Sequence, residues 1–172
     1  KLPVQLRQEY IRKGEEALSF IWPALPASLY LEYMRTGNRT NYQRPYYERR
    51  DKVADLVLAE CMEGKGRFLD QIVNGVWLLC EETSWVIPAH VGAQRAGSGL
   101  PDKAEPVVDL FSAETGSLLS WTYYLLGEQL DKVSPLVSGR IKAEVTSRIL
   151  TPCLERNDFW WMWLSGGDPA AH

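Results

Sequence analysis

Cysteine and histidine are scarce here: three Cys and two His in 172 residues. Cys61, Cys80 and Cys153 have no metal-ligand spacing and are too few for a disulfide framework. Cys61 and Cys80 fall on consecutive helical segments joined near Gly64–Gly66, about one turn and about four turns from the bend. At ~1.5 Å of rise per residue they stand too far apart to bridge. All three read as small core residues, and neither a metal nor a cofactor is expected. An excess of positive charge is also missing. Nineteen Lys and Arg against 22 Asp and Glu give a net charge of -3, which speaks against a nucleic-acid-binding stripe or a membrane-surface patch. No apolar run reaches transmembrane length. No stretch alternates as a strand does, and no repeat or low-complexity segment is visible. Residue 1 is Lys, so a leader peptide removed upstream is compatible with the sequence.

What is abundant is apolar and aromatic. Hydrophobic residues make up 45% of the chain, enough for one domain with a sizeable core, and there are seven Trp and eight Tyr. The rings are either core or a surface on which sugar rings stack. The periodicity is helical throughout. A first helix is expected from Val4 to about Ile21, ended by Trp22-Pro23, and a second from Pro26 to about Arg35, stopped by Gly37. Pro45 opens a third that runs to about Glu63, with Tyr46, Val53, Leu56, Val57 and Cys61 on one face. The fourth, Arg67 to about Glu81, follows the i, i+3, i+4, i+7 rule through Leu69, Ile72, Val73, Val76, Trp77 and Cys80. Asp109 is a good N-cap for a fifth, running to about Leu126 and stopped by Gly127. It is apolar on nearly all sides, as expected of a helix buried between layers. Ser134-Pro135 opens a sixth, with Val137, Ile141, Val145 and Ile149 as its buried stripe and Pro152 as its end or kink. The fold class expected is all-α, a single helical domain over residues 1–172 built of antiparallel helix hairpins.

Helix direction gathers particular residues at one end. The tight turn at Gly64–Gly66 makes helices three and four antiparallel, and a second turn near Glu128–Ser134 does the same for five and six. If the hairpins lie side by side, the starts of three and five meet the ends of four and six. That rim collects Tyr42, Arg44, Tyr46, Tyr47, Glu81, Glu82, Trp85, His90, Asp109 and the Trp160–Trp163 segment. The loop from Val86 to Val108 lies on it, and a loop of that length tends to be a lid or binding loop. Rings, a titratable His, carboxylates and an Arg beside such a loop describe a ligand site. Each residue also has a plainer role. His90 can cap a carbonyl, Glu81 and Glu82 can sit at a solvated helix end, and Asp109 can be an N-cap alone. Glu114, inside an apolar helix, would pair with Arg49 or Arg50. Asn38-Arg39-Thr40 fits a glycosylation sequon, a short motif.

The segments RRDKVADLVLAE, GRFLDQIVNGVWLLCEETSWVIPAH, VVDLFSAETGSLLSWTYYLLGEQLDKVSP, RIKAEVTSRILTPCLE and FWW come in an order that resembles the helical domain of heparinase II/III-like proteins, bacterial polysaccharide lyases and their relatives. The resemblance spans roughly Tyr42 to Trp161. It is most specific in EETSW…PAH and DLF-AET. It implies an incomplete (α/α) toroid, a β-sandwich portion elsewhere in a longer protein, an acidic polysaccharide or oligosaccharide as partner, and a periplasmic or secreted location. The implied reaction is β-elimination. A uronate carboxylate is neutralised, a Tyr or His removes the C5 proton, and a Tyr or His protonates the leaving oxygen. In the family an Asn, often beside a His, follows the segment that corresponds to FWWMWL. Here the sequence reads LSGGDPAAH, and no Asn follows Asn157. His172 does not match the family's His. The expectation is a toroid portion without lyase activity by itself. His90 is the candidate catalytic residue, and Trp85, Trp160, Trp161 and Glu82 the candidate substrate contacts. Two alternatives stand beside it. One is a glycoside hydrolase using Glu81 or Glu82 with Asp109 as paired carboxylates. The other is a non-catalytic helical carbohydrate-binding module.

Overall fold

The computed structural model describes residues 2–162, apart from the Trp160 side chain. It is all helical, with no strand among the described residues. The helices are α1 (Val4–Ala17), α2 (Ala27–Tyr30), α3 (Glu32–Thr36), α4 (Thr40–Glu63), α5 (Leu69–Glu81), α6 (Leu110–Val133), α7 (Leu136–Val145) and α8 (Thr151–Glu155). A π turn, Thr146–Leu150, joins α7 to α8, and single 3-10 turns occupy Val91–Ala93 and Trp160–Met162.

The main hairpins are α4–α5 and α6–α7, and the four helices pack against one another. Gly64 ends α4 in the left-handed conformation (φ 70°), which a residue without Cβ adopts without strain. α1 lies antiparallel along α4. The Arg7 side chain donates to the Met62 carbonyl at one end, while Gly14 touches Ala59 farther along. A Cβ at Gly14 would fall 2.2 Å from that of Ala59, so the close crossing depends on this glycine. The main core joins Val53, Leu56, Phe68, Ile72, Val76 and Leu79 to Leu119, Leu130 and Ile141, fusing the two hairpins. A second core, around Tyr30, Tyr42, Tyr46, Val86, Ile87 and Phe159, lies at the rim end.

Several local expectations change. The first helix stops at Ala17 rather than Ile21, and the second divides at Leu31 into α2 and α3. α4 begins at Thr40, so Pro45 lies inside it and not in its first turn. The Asn38 side chain accepts the Asn41 N–H at 3.0 Å and supplies the start signal. Gly127 does not stop α6. It lets the helix pass close to α7, since a Cβ there would stand 3.0 Å from the Tyr123 ring and 3.5 Å from Ser138 Oγ. α6 is not buried on all sides: Leu110 (66%), Trp121 (59%) and Tyr124 (77%) are exposed. Glu114 is exposed as well, and its expected arginines are bound elsewhere. Of the two roles expected of Pro152, it does not end the helix: α8 runs on to Glu155, and the irregularity falls in the π turn Thr146–Leu150 just before it. Cys61 is exposed rather than core; all three cysteines are free.

Candidate active site

The rim forms as helix polarity requires. α4 and α6 run parallel in a fixed register: Tyr46 Oη lies 3.2 Å from the Phe111 carbonyl oxygen, and Arg50 Nε donates to Thr115 Oγ1 (2.8 Å), four residues on in both helices. The ends of α5 and of the α7 extension arrive at the same level. Arg148 donates to the carbonyls of Cys80 (3.0 Å) and Glu82 (2.6 Å), covering acceptors that the end of α5 leaves unpaired.

His90 and Asp109 meet there. His90 Nδ1 lies 2.7 Å from Asp109 Oδ2, with the imidazole 37% exposed and the carboxylate 10%. The other oxygen, Oδ1, accepts the Ser112 N–H (2.8 Å), and Ser112 Oγ accepts the Asp109 N–H (2.8 Å), a complete capping box. Asp109 therefore has two functions, starting α6 and orienting an imidazole. A carboxylate on Nδ1 fixes the tautomer with the proton on Nδ1 and leaves Nε2 as the unprotonated nitrogen. The imidazole rests on Phe111 (centroids 5.2 Å), and Phe111 also meets Tyr47 (6.0 Å). The half-buried Tyr47 makes no side-chain hydrogen bond among the described residues, so its hydroxyl is available. Burial, and then the nearby Glu114, push its ionisation up, which keeps it a neutral phenol.

Two predicted sugar contacts have structural roles instead. Trp85 is 1% exposed; its indole N–H donates to the Leu79 carbonyl (2.8 Å), and the Arg148 guanidinium covers its ring at 4.8 Å. The ring is part of the core rather than an exposed stacking platform. Glu82 is not a solvated helix end. Its carboxylate, 5% exposed, takes Arg49 at 3.0 Å and Arg50 at 2.7 Å. Both arginines are further tied down, Arg49 to the Pro23 carbonyl and Arg50 to the Tyr46 carbonyl and ring. Glu82 thus pins α4 to the end of α5 and cannot take up substrate. Of the paired-carboxylate candidates, Glu82 is therefore engaged and Asp109 is bound to His90 and an α6 amide, while Glu81 is solvent-exposed.

Trp161 does reach the site. Its indole N–H donates to the Val108 carbonyl (2.8 Å), next to Asp109, and Phe159 stacks on one face at 5.8 Å. The Trp160 side chain, the other predicted ring, lies outside the described residues. The long loop is built in rather than lid-like. The Tyr30 and Tyr46 hydroxyls donate to the carbonyls of Val86 (3.0 Å) and Trp85 (2.7 Å). Buried Gln94 ties Gly97, Leu100 and Asp102 together with three side-chain hydrogen bonds. Ser112 also lines a cavity of about 130 Å³ with Ser84, Trp85, Glu144, Ser147 and Arg148.

The tyrosines under the site make an alkaline prediction. Burial pushes Tyr30, Tyr42 and Tyr46 far above the ordinary tyrosine range. The unfolded chain loses these protons near pH ~10 while the native state keeps them. Their contribution is therefore complete below about pH 10 and declines as pH rises beyond it. In an alkaline titration, these rings are expected to ionise only as the helical circular dichroism collapses. Ionisation of all tyrosines near pH ~10 with the helices intact would refute the burial argument.

No family model and no curated protein matches the chain.

Proposed function

We propose that the chain is the helical wall of a polysaccharide lyase, an incomplete (α/α) toroid portion acting on an acidic, uronate-containing glycan by β-elimination. The observation that carries this reading is the His90–Asp109 pair. An oriented imidazole with an open Nε2 stands beside Tyr47, a neutral phenol, at the end where the sequence resemblance to heparinase II/III-like proteins is most specific. In this reading His90 Nε2 takes the C5 proton of a uronate whose carboxylate is neutralised, and Asp109 stabilises the imidazolium that results. Tyr47, held protonated, gives its proton to the leaving glycosidic oxygen. The C–O bond breaks as the C4–C5 double bond forms, and no water is consumed. Trp161 borders the sugar path, and the periplasm or the cell exterior is the compartment such a substrate implies.

The hydrolase alternative is less well supported, because two of its three candidate carboxylates, Glu82 and Asp109, are engaged. The test is to add glucuronate-containing and uronate-free polysaccharides to the protein expressed from its complete reading frame. Ultraviolet absorbance from an unsaturated uronate end is expected with the acidic glycan alone. Cleavage of that glycan without the absorbance would rule out elimination.

A further inference from the structure

We infer that Arg44 binds the anionic carboxylate of the sugar that sits over His90, and so sets the preference for an acidic glycan. This rests on the lyase reading above and assigns a residue that the reading leaves open.

The argument begins with register. Tyr46 lies level with Phe111, and Arg50 with Thr115, in parallel helices. Counting back along α4 therefore brings Arg44 level with Asp109, the carboxylate that holds His90. Arg44 is also one turn before Tyr47, and residues three apart on a helix are neighbours, with Cβ atoms ~5–6 Å apart. Tyr47 marks the stripe of α4 that faces Phe111 and, through it, His90. Helical side chains lean toward the helix N-terminus. The N-terminus of α4 is its rim end, so the exposed Arg44 leans toward the rim, on the level of the carboxylate that holds His90.

Charge supplies the second line. Arg49 and Arg50, on the same helix, are buried and bound to Glu82 and to carbonyls. Arg156 is bound to Asp158, and Arg148 to Glu144 and the end of α5. Arg44, in contrast, is exposed and makes no side-chain hydrogen bond, ion pair or ring contact among the described residues. Even Glu48, four residues on, does not hold it. A planar guanidinium in this position can take a carboxylate through two parallel N–H donors. Such a contact withdraws charge from the carboxylate, the same change that makes the C5 proton of a uronate easier to remove.

The experiment compares two probes by calorimetry. One is a heparosan oligosaccharide, which alternates glucuronate and N-acetylglucosamine. The other is the same oligosaccharide with its carboxyl groups reduced to alcohols. The wild-type protein is expected to bind the acidic form more tightly. Arg44→Gln should weaken that binding roughly 10- to 100-fold, the range for a charge-assisted hydrogen bond, and leave binding of the reduced form unchanged. Arg44→Lys should recover part of the loss. Because Arg44 has no structural partner, both variants should keep the wild-type helical spectrum and melting temperature. If wild type discriminates and Arg44→Gln discriminates equally well, Arg44 is not the anion-binding residue, while the lyase reading stands. If wild type does not distinguish the two probes, the acidic-glycan reading fails and the role of Arg44 with it.

Discussion

On the lyase reading, replacing His90 with alanine is expected to lower the rate of glycan elimination by about 10²–10⁴-fold, the usual contribution of a positioned general base. The fold should be unaffected, since the imidazole is partly exposed and, among the described residues, hydrogen-bonds to Asp109 alone. The size of the effect separates two roles. A His90 that only positions substrate would cost no more than one or two hydrogen bonds, ~1–3 kcal/mol. Asp109→Asn sharpens the comparison. Asparagine is as good an N-cap as aspartate, so α6 should keep its start. The amide, however, no longer selects the productive tautomer or stabilises an imidazolium. A proton-transferring His90 therefore predicts a large rate loss in Asp109→Asn with an ordinary melting temperature. Unchanged turnover in both variants would return His90 to the role of a loop residue that is merely hydrogen-bonded to the α6 cap.

The second large effect concerns stability. Glu82→Gln is expected to destabilise the fold by about 3–5 kcal/mol, because it leaves two buried guanidiniums facing a neutral group. Arg49 and Arg50 are about as buried as Glu82 itself, with side chains 7% and 9% exposed against 5%. At roughly 2–4 °C per kcal/mol for a domain of this size, the melting temperature should fall by on the order of 10 °C. Removing the arginines together with the acid should recover part of the loss, since no unpaired charge then remains. A Glu82→Gln melting curve that overlays wild type would show that the triad does not hold α4 to α5.

How much of this could be read from the sequence depends on the element. α5 carries one apolar stripe, Leu69 to Cys80, and that stripe is the buried face. Asp109 was legible as an N-cap because an acid before an apolar run has a specific partner, the third amide of the helix. α6 was not legible. When apolar residues occur on all sides there is no periodicity to mark the inner face, and Trp121 and Tyr124 proved exposed. Gly127 and Pro152 have the composition of stops, yet a glycine also permits close packing and a π turn accommodates a proline.

At the site, polarity of the hairpins is enough to place His90, Asp109, Tyr47 and Trp161 on one rim. The use of each side chain was less visible. Trp85 has the same ring whether it is core or platform, and only burial distinguishes them. Glu82 takes its partners from 32 and 33 residues earlier in the chain, a pairing that no local pattern announces. The hydrogen bond between His90 and Asp109 belongs to the same class: two residues placed on one rim, whose joint chemistry appears only at 2.7 Å.

The most direct test of the lyase reading is to digest a glucuronate-containing glycan in heavy-oxygen water and weigh the products. Elimination predicts that the cleaved ends gain no oxygen from solvent and that one end carries a double bond. One solvent oxygen per cleaved bond, with saturated ends, would contradict the account and make the reaction a hydrolysis.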